Sequence, residues 1–236
     1  MINAVIFDID GTLLDSVDLH AHAWQEAFRH FGHDLRYEDV RFQIGKGSDQ
    51  LLPVFLTPDE VESKGKALSE FRANLFKEKY LPRVKPFPGV RDLFLKIKQH
   101  GQKIALASSA RGDELKHYEQ LANIEDLLEV ATSSADANRS KPHPDIFEAA
   151  LNQLGQNIDR KRIIVVGDSP HDAEAAKRAG LVTVGVRCGG FPEQALRDAG
   201  CIAVYEGPAD LDQHYENSPL AAGAREPRAF TVPATA

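Results

Sequence analysis

The sequence predicts an α/β fold: a doubly wound parallel sheet with a helical domain inserted after its first strand. Three observations predict it. Apolar, often β-branched runs recur at residues 3–9, 103–107, 129–132, 162–166, 181–186 and 201–204, and they are too continuous to leave one face in water. From residue 89 onward, a helical pattern separates each run from the next. Between the first run and the second lies an interval, residues 17–85, with helical spacing and no convincing strand.

The elements follow in order. The first run leads into FDIDGTLLDS, residues 7–16. The interval then opens with Leu19, Ala23, Ala27 and Phe31 on one helical face, and Trp24 and Phe28 beside it. Residues 60–79 form a second long helical candidate carrying Leu68, Phe71, Leu75 and Phe76. The interval closes on LPRVKPFPG, residues 81–89, whose three prolines mark a stiff connection. Crossover helices are expected at 89–100, 113–122, 145–154, 173–179 and 193–199, with Gly101, Gly155, Gly180 and Gly200 where helices should stop. The expected division is a core domain of residues 1–16 and 86–217, a helical domain of 17–85, and a flexible tail of 218–236, rich in Ala and Pro.

Composition narrows the function classes. The 236 residues carry a net charge of -7, which weighs against general nucleic-acid binding. Cys188 and Cys201 are too few for a disulfide framework, lie in no metal-binding Cys/His spacing, and read as small buried apolar side chains. No apolar run approaches the ~20 residues that cross a bilayer, and the N-terminus lacks a basic segment followed by a signal-type apolar run. The expectation is a cytoplasmic protein without nucleic-acid or membrane partners. No feature of the sequence sets a number of subunits.

In open parallel sheets, ligands bind beyond the carboxyl ends of strands. The first strand is followed by Asp8, Asp10, Gly11 and Thr12; the second by Ser108 and Ser109; the third by Ser140-Lys141-Pro142; the fourth by Gly167-Asp168-Ser169-Pro170-His171-Asp172. Each piece has an ordinary reading. Acids and glycines punctuate strand ends, Asp caps helices, and lysines lie on surfaces. Turn chemistry does not account for the whole set, in order, at successive strand ends. Two carboxylates at one strand end can also hold a cation and attack a substrate.

The set resembles the haloacid dehalogenase superfamily, and more closely its phosphatases and phosphomutases with a helical cap. DIDGTLLDS matches that family's first motif, DxDGT; Ser108 matches the second, Lys141 the third, and GDSPHD the fourth, GDxxxD. The likeness covers about residues 1–210. It implies a Rossmann-like core with residues 17–85 as the cap. It further implies Mg²⁺-dependent hydrolysis of a small phosphate monoester, phosphoglycolate- or sugar-phosphate-like, through an aspartyl-phosphate. Asp8 is the implied nucleophile, since a carboxylate needs no deprotonation near neutral pH. Asp10, two residues on and so on the same side of a regular strand, is the implied general acid and base. A dehalogenase has no leaving oxygen to protonate and lacks this second aspartate, so Asp10 points to phosphate chemistry. The implied Mg²⁺ ligands are Asp8, Asp168 and the backbone carbonyl of Asp10, with Asp172 supporting them. Gly11 and Thr12 would admit the phosphate. Ser108, Ser109 and Lys141 would bind it, Lys141 also neutralising developing charge.

Substrate choice should lie in the cap. Two stretches are candidates to face the site: DSVDLHAHAW, residues 15–24, and IGKGSDQLL, residues 44–52. Lys46 is expected to meet an anionic or hydroxylated substrate. His20 resembles, by position, a cap-hinge residue of the β-phosphoglucomutase branch. The mutase relatives carry an arginine in their cap loop, and the corresponding GKGSDQLL has none. Hydrolysis is therefore expected. The alternatives are a sugar phosphomutase and a non-catalytic protein that binds phosphate ligands, and the intact Asp8, Asp10, Lys141 and Asp168 weigh against the latter.

Overall fold

The first strand, β1 (Ala4–Phe7), lies inside a six-stranded sheet, and the chain crosses that sheet in both directions from it. The structure, a computed structural model, describes residues 1–155 and 158–222. After β1 a tight loop leads to β2 (Leu14–Asp15) and then to α1 (Val17–His30), α2 (Tyr37–Arg41), α3 (Ser48–Phe55) and α4 (Pro58–Leu75). A π turn, Phe76–Tyr80, and a 3-10 turn, Leu81–Arg83, return the chain to β3 (Lys85–Pro86). The rest alternates: α5 (Val90–Gln99), β4 (Lys103–Ala107), α6 (Gly112–Leu121), β5 (Val130–Thr132), α7 (Asp145–Leu154), β6 (Ile163–Gly167), α8 (Pro170–Arg178), β7 (Val182–Val186), α9 (Glu193–Ala199) and β8 (Cys201–Tyr205). Two short helices, α10 (Pro208–Gln213) and α11 (Pro219–Ala222), complete the described chain.

The sheet runs β5-β4-β1-β6-β7-β8 and every pairing in it is parallel. The chain steps from β1 outward through β4 to β5, then crosses back to β6 on the other side. The order thus reverses at β1, where a crevice opens between the carboxyl ends of β1, β4 and β6. Alternation along each strand explains why both faces are apolar. Val5, Phe7, Ile104, Leu106, Ile164 and Val166 face one cluster, under α5 and α10. Ala4, Ile6, Ala105, Ala107, Ile163 and Val165 face the other, under α7 and α8.

The helices between β2 and β3 have a cluster of their own, built on Trp24, Phe28, Val40, Leu51, Leu52 and Leu68. The single face expected on α1 is in fact shared. Leu19 and Ala23 join the sheet's cluster, while Ala27 and Phe31 join the helical one. The division arises because α1 crosses from one body to the other. β2 and β3, two residues each, were not legible as strands; they pair antiparallel, Leu14 opposite Pro86, and hold the outgoing and returning chain side by side.

Gly101, Gly155, Gly180 and Gly200 all have positive φ, the conformation that ends a helix at low steric cost. Cys201 is buried, Cys188 is half-buried, and both are reduced. Among the described residues no helix is long and apolar enough to cross a membrane.

The expected tail needs a correction at its start. Ser218 and Leu220 are fully buried, and α11 packs against the sheet's first cluster. Gln102 Nε2 donates to the Leu220 carbonyl at 2.7 Å, and Tyr215 Oη donates to Gln102 Oε1 at 2.6 Å. One leucine and a set of satisfied polar groups outweigh the low-pattern composition. Residues 223–236 of that expected tail lie outside the described residues. Leu220→Ala should lower the unfolding free energy by about 2–5 kcal/mol in chemical denaturation; an unchanged midpoint and slope would show that this segment is not docked.

Candidate active site

The site begins where β1 stops. The Asp8 N–H still donates to Val166 O at 2.9 Å, but from Ile9 the ladder ends. The Ile9 carbonyl instead accepts from the N–H groups of Thr12, Leu13 and Leu14 at 3.1, 2.8 and 3.0 Å, which coils the chain into a loop. Gly11 sits in that loop at φ 85°. A Cβ there would lie 2.4 Å from Asp168 Oδ2 and 2.5 Å from Val17 Cγ2, so only glycine fits. Gly189, after β7, is under the same constraint: its Cβ would lie 1.8 Å from Asp168 Oδ2.

Three carboxylates, Asp8, Asp168 and Asp172, converge in this crevice, each with an oxygen within 4.8 Å of the others and all buried. Lys141, fully buried, faces them. Its Nζ lies 2.5 Å from Asp8 Oδ1 and 2.8 Å from Asp172 Oδ1, and it donates to Ala107 O at 3.0 Å. Thr12 Oγ1 lies 3.1 Å from Asp8 Oδ2 and 3.3 Å from Asp168 Oδ1, and its one proton serves one of them at a time. Asp172 is held from below. Its Oδ2 accepts from the Ser169 N–H at 3.1 Å and Ser169 Oγ at 2.6 Å, closing a capping box that starts α8 at Pro170, earlier than the expected residue 173.

The charges do not balance. Burial pushes the Asp8 carboxyl up to about 7, with Lys141 opposing the rise and Asp172 and Asp10 adding to it. Asp168 is pushed well up, by burial first and then by Asp172 and Asp8. Burial works against the Lys141 ammonium, yet Asp172 and Asp8 raise it. Asp172 Oδ1 is buried and has no hydrogen-bond donor aligned on it; its contact with Lys141 is ionic. Three buried carboxylates against one ammonium leave negative charge that fits a hard divalent cation, which takes oxygen ligands and would lower the acids of Asp8 and Asp168. Asp8, Asp168 and Asp172 are the side chains that can hold it. The carboxylate of Asp10 stands outside this group; the sequence reading of Asp10 as a ligand concerned its backbone carbonyl.

Asp10 faces the same cavity as Asp8 but has other partners. Ser16 Oγ donates to its Oδ1 at 2.6 Å, and His20 Nε2 lies 3.0 Å from that oxygen. Although burial works against the charged form, His20 and Ser16 hold the Asp10 carboxyl below the usual range. The His20 ring stacks on Phe76 at 3.9 Å between centroids. An acid of the sheet's loop is thus tied to α1 and to the turn after α4.

The other expected residues divide. Ser109 lines the cavity. Ser108 is fully buried and its Oγ accepts from the Ala110 N–H at 3.0 Å, so in this structure it shapes the loop. Lys46 lines the cavity with its Nζ donating to Gln43 Oε1 at 2.6 Å, and burial holds its ammonium below the usual range. Trp24 belongs to the helical cluster and also reaches the cavity wall. Three charged residues on that wall went unread in the sequence: Arg72 of α4, and Arg111 and Glu114 at the start of α6. No local motif marks them. The only cue is the short series Ser69, Arg72, Ala73 and Phe76, spaced for one helix face.

The comparisons agree with this geometry. Residues 5–186 match the haloacid dehalogenase-like hydrolase family. A phosphorylated carbohydrates phosphatase from Thermotoga maritima is 28% identical over 205 residues, covering 85% of this chain and 93% of its own. A probable phosphatase, IndB, from Dickeya dadantii is 31% identical over 204 residues, covering 83% of this chain and 85% of its own. The crystal structure of a hydrolase from Pseudomonas syringae superposes with a TM-score of 0.82 at 27% identity, covering 91% of this chain and 98% of that one. With the parallel sheet, the strand-end carboxylates and the buried lysine in place, the chain belongs to the haloacid dehalogenase-like hydrolase family and is an enzyme of that family.

Proposed function

We propose that this enzyme is a Mg²⁺-dependent phosphatase that hydrolyses small phosphate monoesters through an aspartyl-phosphate on Asp8, with residues 17–85 as its cap. One observation carries the reading: two carboxylates, two residues apart in the chain, face one cavity with different partners. Lys141 binds Asp8 and directs it, while Ser16 Oγ and His20 Nε2 meet one oxygen of Asp10, where a proton can be exchanged. The similarity to a phosphorylated carbohydrates phosphatase supports the substrate class.

The steps follow from these residues. Asp8 attacks phosphorus through a carboxylate oxygen, and the bond from phosphorus to the leaving alkoxide breaks. Lys141 fixes the direction of that carboxylate and offsets charge gathering on the phosphoryl oxygens. Ser16 and His20 favour ionised Asp10, so the proton for the leaving oxygen is one held between His20 Nε2 and Asp10 Oδ1, and Asp10 passes it on, leaving its carboxylate ionised. Asp10, now a base, takes a proton from water as the water oxygen bonds to phosphorus. The bond between Asp8 and phosphorus then breaks, releasing inorganic phosphate and restoring Asp8. When bound at Asp8, Asp168 and Asp172, Mg²⁺ supplies the positive charge that lets an anionic nucleophile meet an anionic ester. Proton transfer of the kind given to Asp10 contributes roughly 10²–10⁴-fold.

A sugar phosphomutase is the second reading, and one observation favours it. The loop at residues 45–52 lacks arginine, but Arg72 brings a guanidinium to the same cavity from α4. The two readings differ in whether water or a second sugar hydroxyl receives the phosphoryl group. With hexose 1-phosphates and other small monoesters plus Mg²⁺, phosphate release should outrun isomerisation, and chelation should stop both. Isomerised product forming faster than free phosphate would overturn the hydrolase assignment.

The acid cluster sets a pH dependence. Without a divalent cation, folded Asp8 titrates near 7 against 3.8 for the ordinary group, so the folded state holds an extra proton between these values. Its contribution to stability is full below about pH 4 and is lost as pH rises through about 7. Cation binding requires the deprotonated form, so stabilisation by Mg²⁺ should grow over the same rise. At ~100 times Kd the gain should approach about 2.7 kcal/mol. Thermal unfolding should therefore show a larger Mg²⁺-induced rise in Tm at pH 8 than at pH 6, largely lost in Asp168→Asn. Equal shifts at both pH values, or in the variant, would count against a cation among these carboxylates.

A further inference from the structure

The chemistry above leaves three cations of the cavity wall unused, Lys46, Arg72 and Arg111. Lys141 belongs to Asp8 and Asp172, Lys46 is bonded to the neutral amide of Gln43, and Arg111 is exposed at the rim. Arg72 is different. Its guanidinium carbon lies 4.7 Å from the centroid of the buried Trp24 ring, which fixes where the charge sits. Its Nε is sealed from solvent without a hydrogen-bond partner. Burial holds the guanidinium below its usual range, and the acid that opposes this most, Glu114, acts through space and not through a hydrogen bond. Glu114 Oε1 is itself engaged, accepting from Tyr118 Oη at 2.6 Å. Glu114 thus meets that charge only through space, so the guanidinium that Arg72 brings to the cavity wall is left for an anionic ligand. Ser69 and Ala73, beside Arg72 on α4, are small and leave space in front of it.

The position says which part of a substrate would meet it. The phosphoryl group must lie against Asp8 and Lys141. The leaving oxygen must lie towards Asp10, and the alcohol beyond that oxygen extends into the part of the cavity walled by the helical insertion, where Arg72 stands. We infer that Arg72 determines specificity by binding a second anionic group, a carboxylate or a second phosphate, carried by the leaving alcohol of the ester. The inference rests on the phosphatase reading of Asp8 for its orientation. Arg72 acts on the substrate's far end and takes no part in bond making.

The test compares matched esters. One pair is 2-phosphoglycolate and 2-hydroxyethyl phosphate; the other is a hexose 1,6-bisphosphate and the hexose 1-phosphate. The wild-type enzyme should favour the charged member of at least one pair by ~10–100-fold in kcat/KM, the range of a charge-assisted contact. The favoured pair tells carboxylate from phosphate. Arg72→Met, which keeps an apolar stem on Trp24, should shrink that preference at least ~10-fold, and Arg72→Lys should retain part of it. An undiminished preference in Arg72→Met, or no preference in the wild type, would overturn the inference. Calorimetry with phosphonoacetate and ethylphosphonate, which cannot be hydrolysed, separates this inference from the phosphatase reading. Tighter binding of phosphonoacetate that depends on Arg72, in an enzyme that hydrolyses no ester, would sink the phosphatase reading and keep the subsite. Ester hydrolysis with equal binding of both phosphonates by the wild type would do the reverse.

Discussion

Burial of Lys141 between Asp8 and Asp172 is the interaction on which the rest of the site depends. An ammonium sealed from water survives only with charged partners and a backbone acceptor, and it has both. Each partner is fixed in turn by something local. Asp8 is placed by the last rung of β1 and by Thr12; Asp172 is placed by the capping box that begins α8. The third acid, Asp168, has room only because Gly11 and Gly189 lack a Cβ. The strand order supplies the meeting point, since β1 and β6 are neighbours at the place where the sheet reverses.

The same loop connects the sheet to the helical insertion. Asp10 leaves the strand two residues after Asp8 and is held by Ser16 and His20, and His20 rests on Phe76. α1 sends Leu19 and Ala23 into the sheet's cluster and Trp24 and Phe28 into its own. Moving the insertion would therefore disturb the partners of Asp10 before it reached Asp8. On this geometry His20 links the position of the insertion to the proton affinity of Asp10, with Ser16 of the loop on the same carboxylate oxygen.

Much of this was legible in the sequence, for identifiable reasons. The sheet strands are buried on both faces, so they appear as unbroken apolar runs, and the helix ends coincide with glycines that adopt positive φ. The acids and Lys141 could be read because they follow strands in order. What escaped depends on tertiary contacts. β2 and β3 are too short to show a pattern, and α11 is held by Leu220 and Gln102 against the sheet's cluster. Ser108 reads as a phosphate ligand because it ends a strand; its Oγ accepts from the Ala110 N–H, which leaves its own O–H proton to donate. Arg72 and Glu114 come from helices of different bodies and meet the cavity only after folding, so neither carries a local signature.

The central claim is that Asp8 carries the phosphoryl group between attack and release. Rapid acid quenching during turnover, followed by borohydride reduction and peptide mass mapping, tests it directly, because reduction of an acyl phosphate leaves a primary alcohol on the side chain. Asp8 should be converted to homoserine in enzyme quenched with substrate and remain unaltered in enzyme quenched without it. Ongoing phosphate release with Asp8 unaltered in both samples, or reduction at a different carboxylate, would contradict that claim.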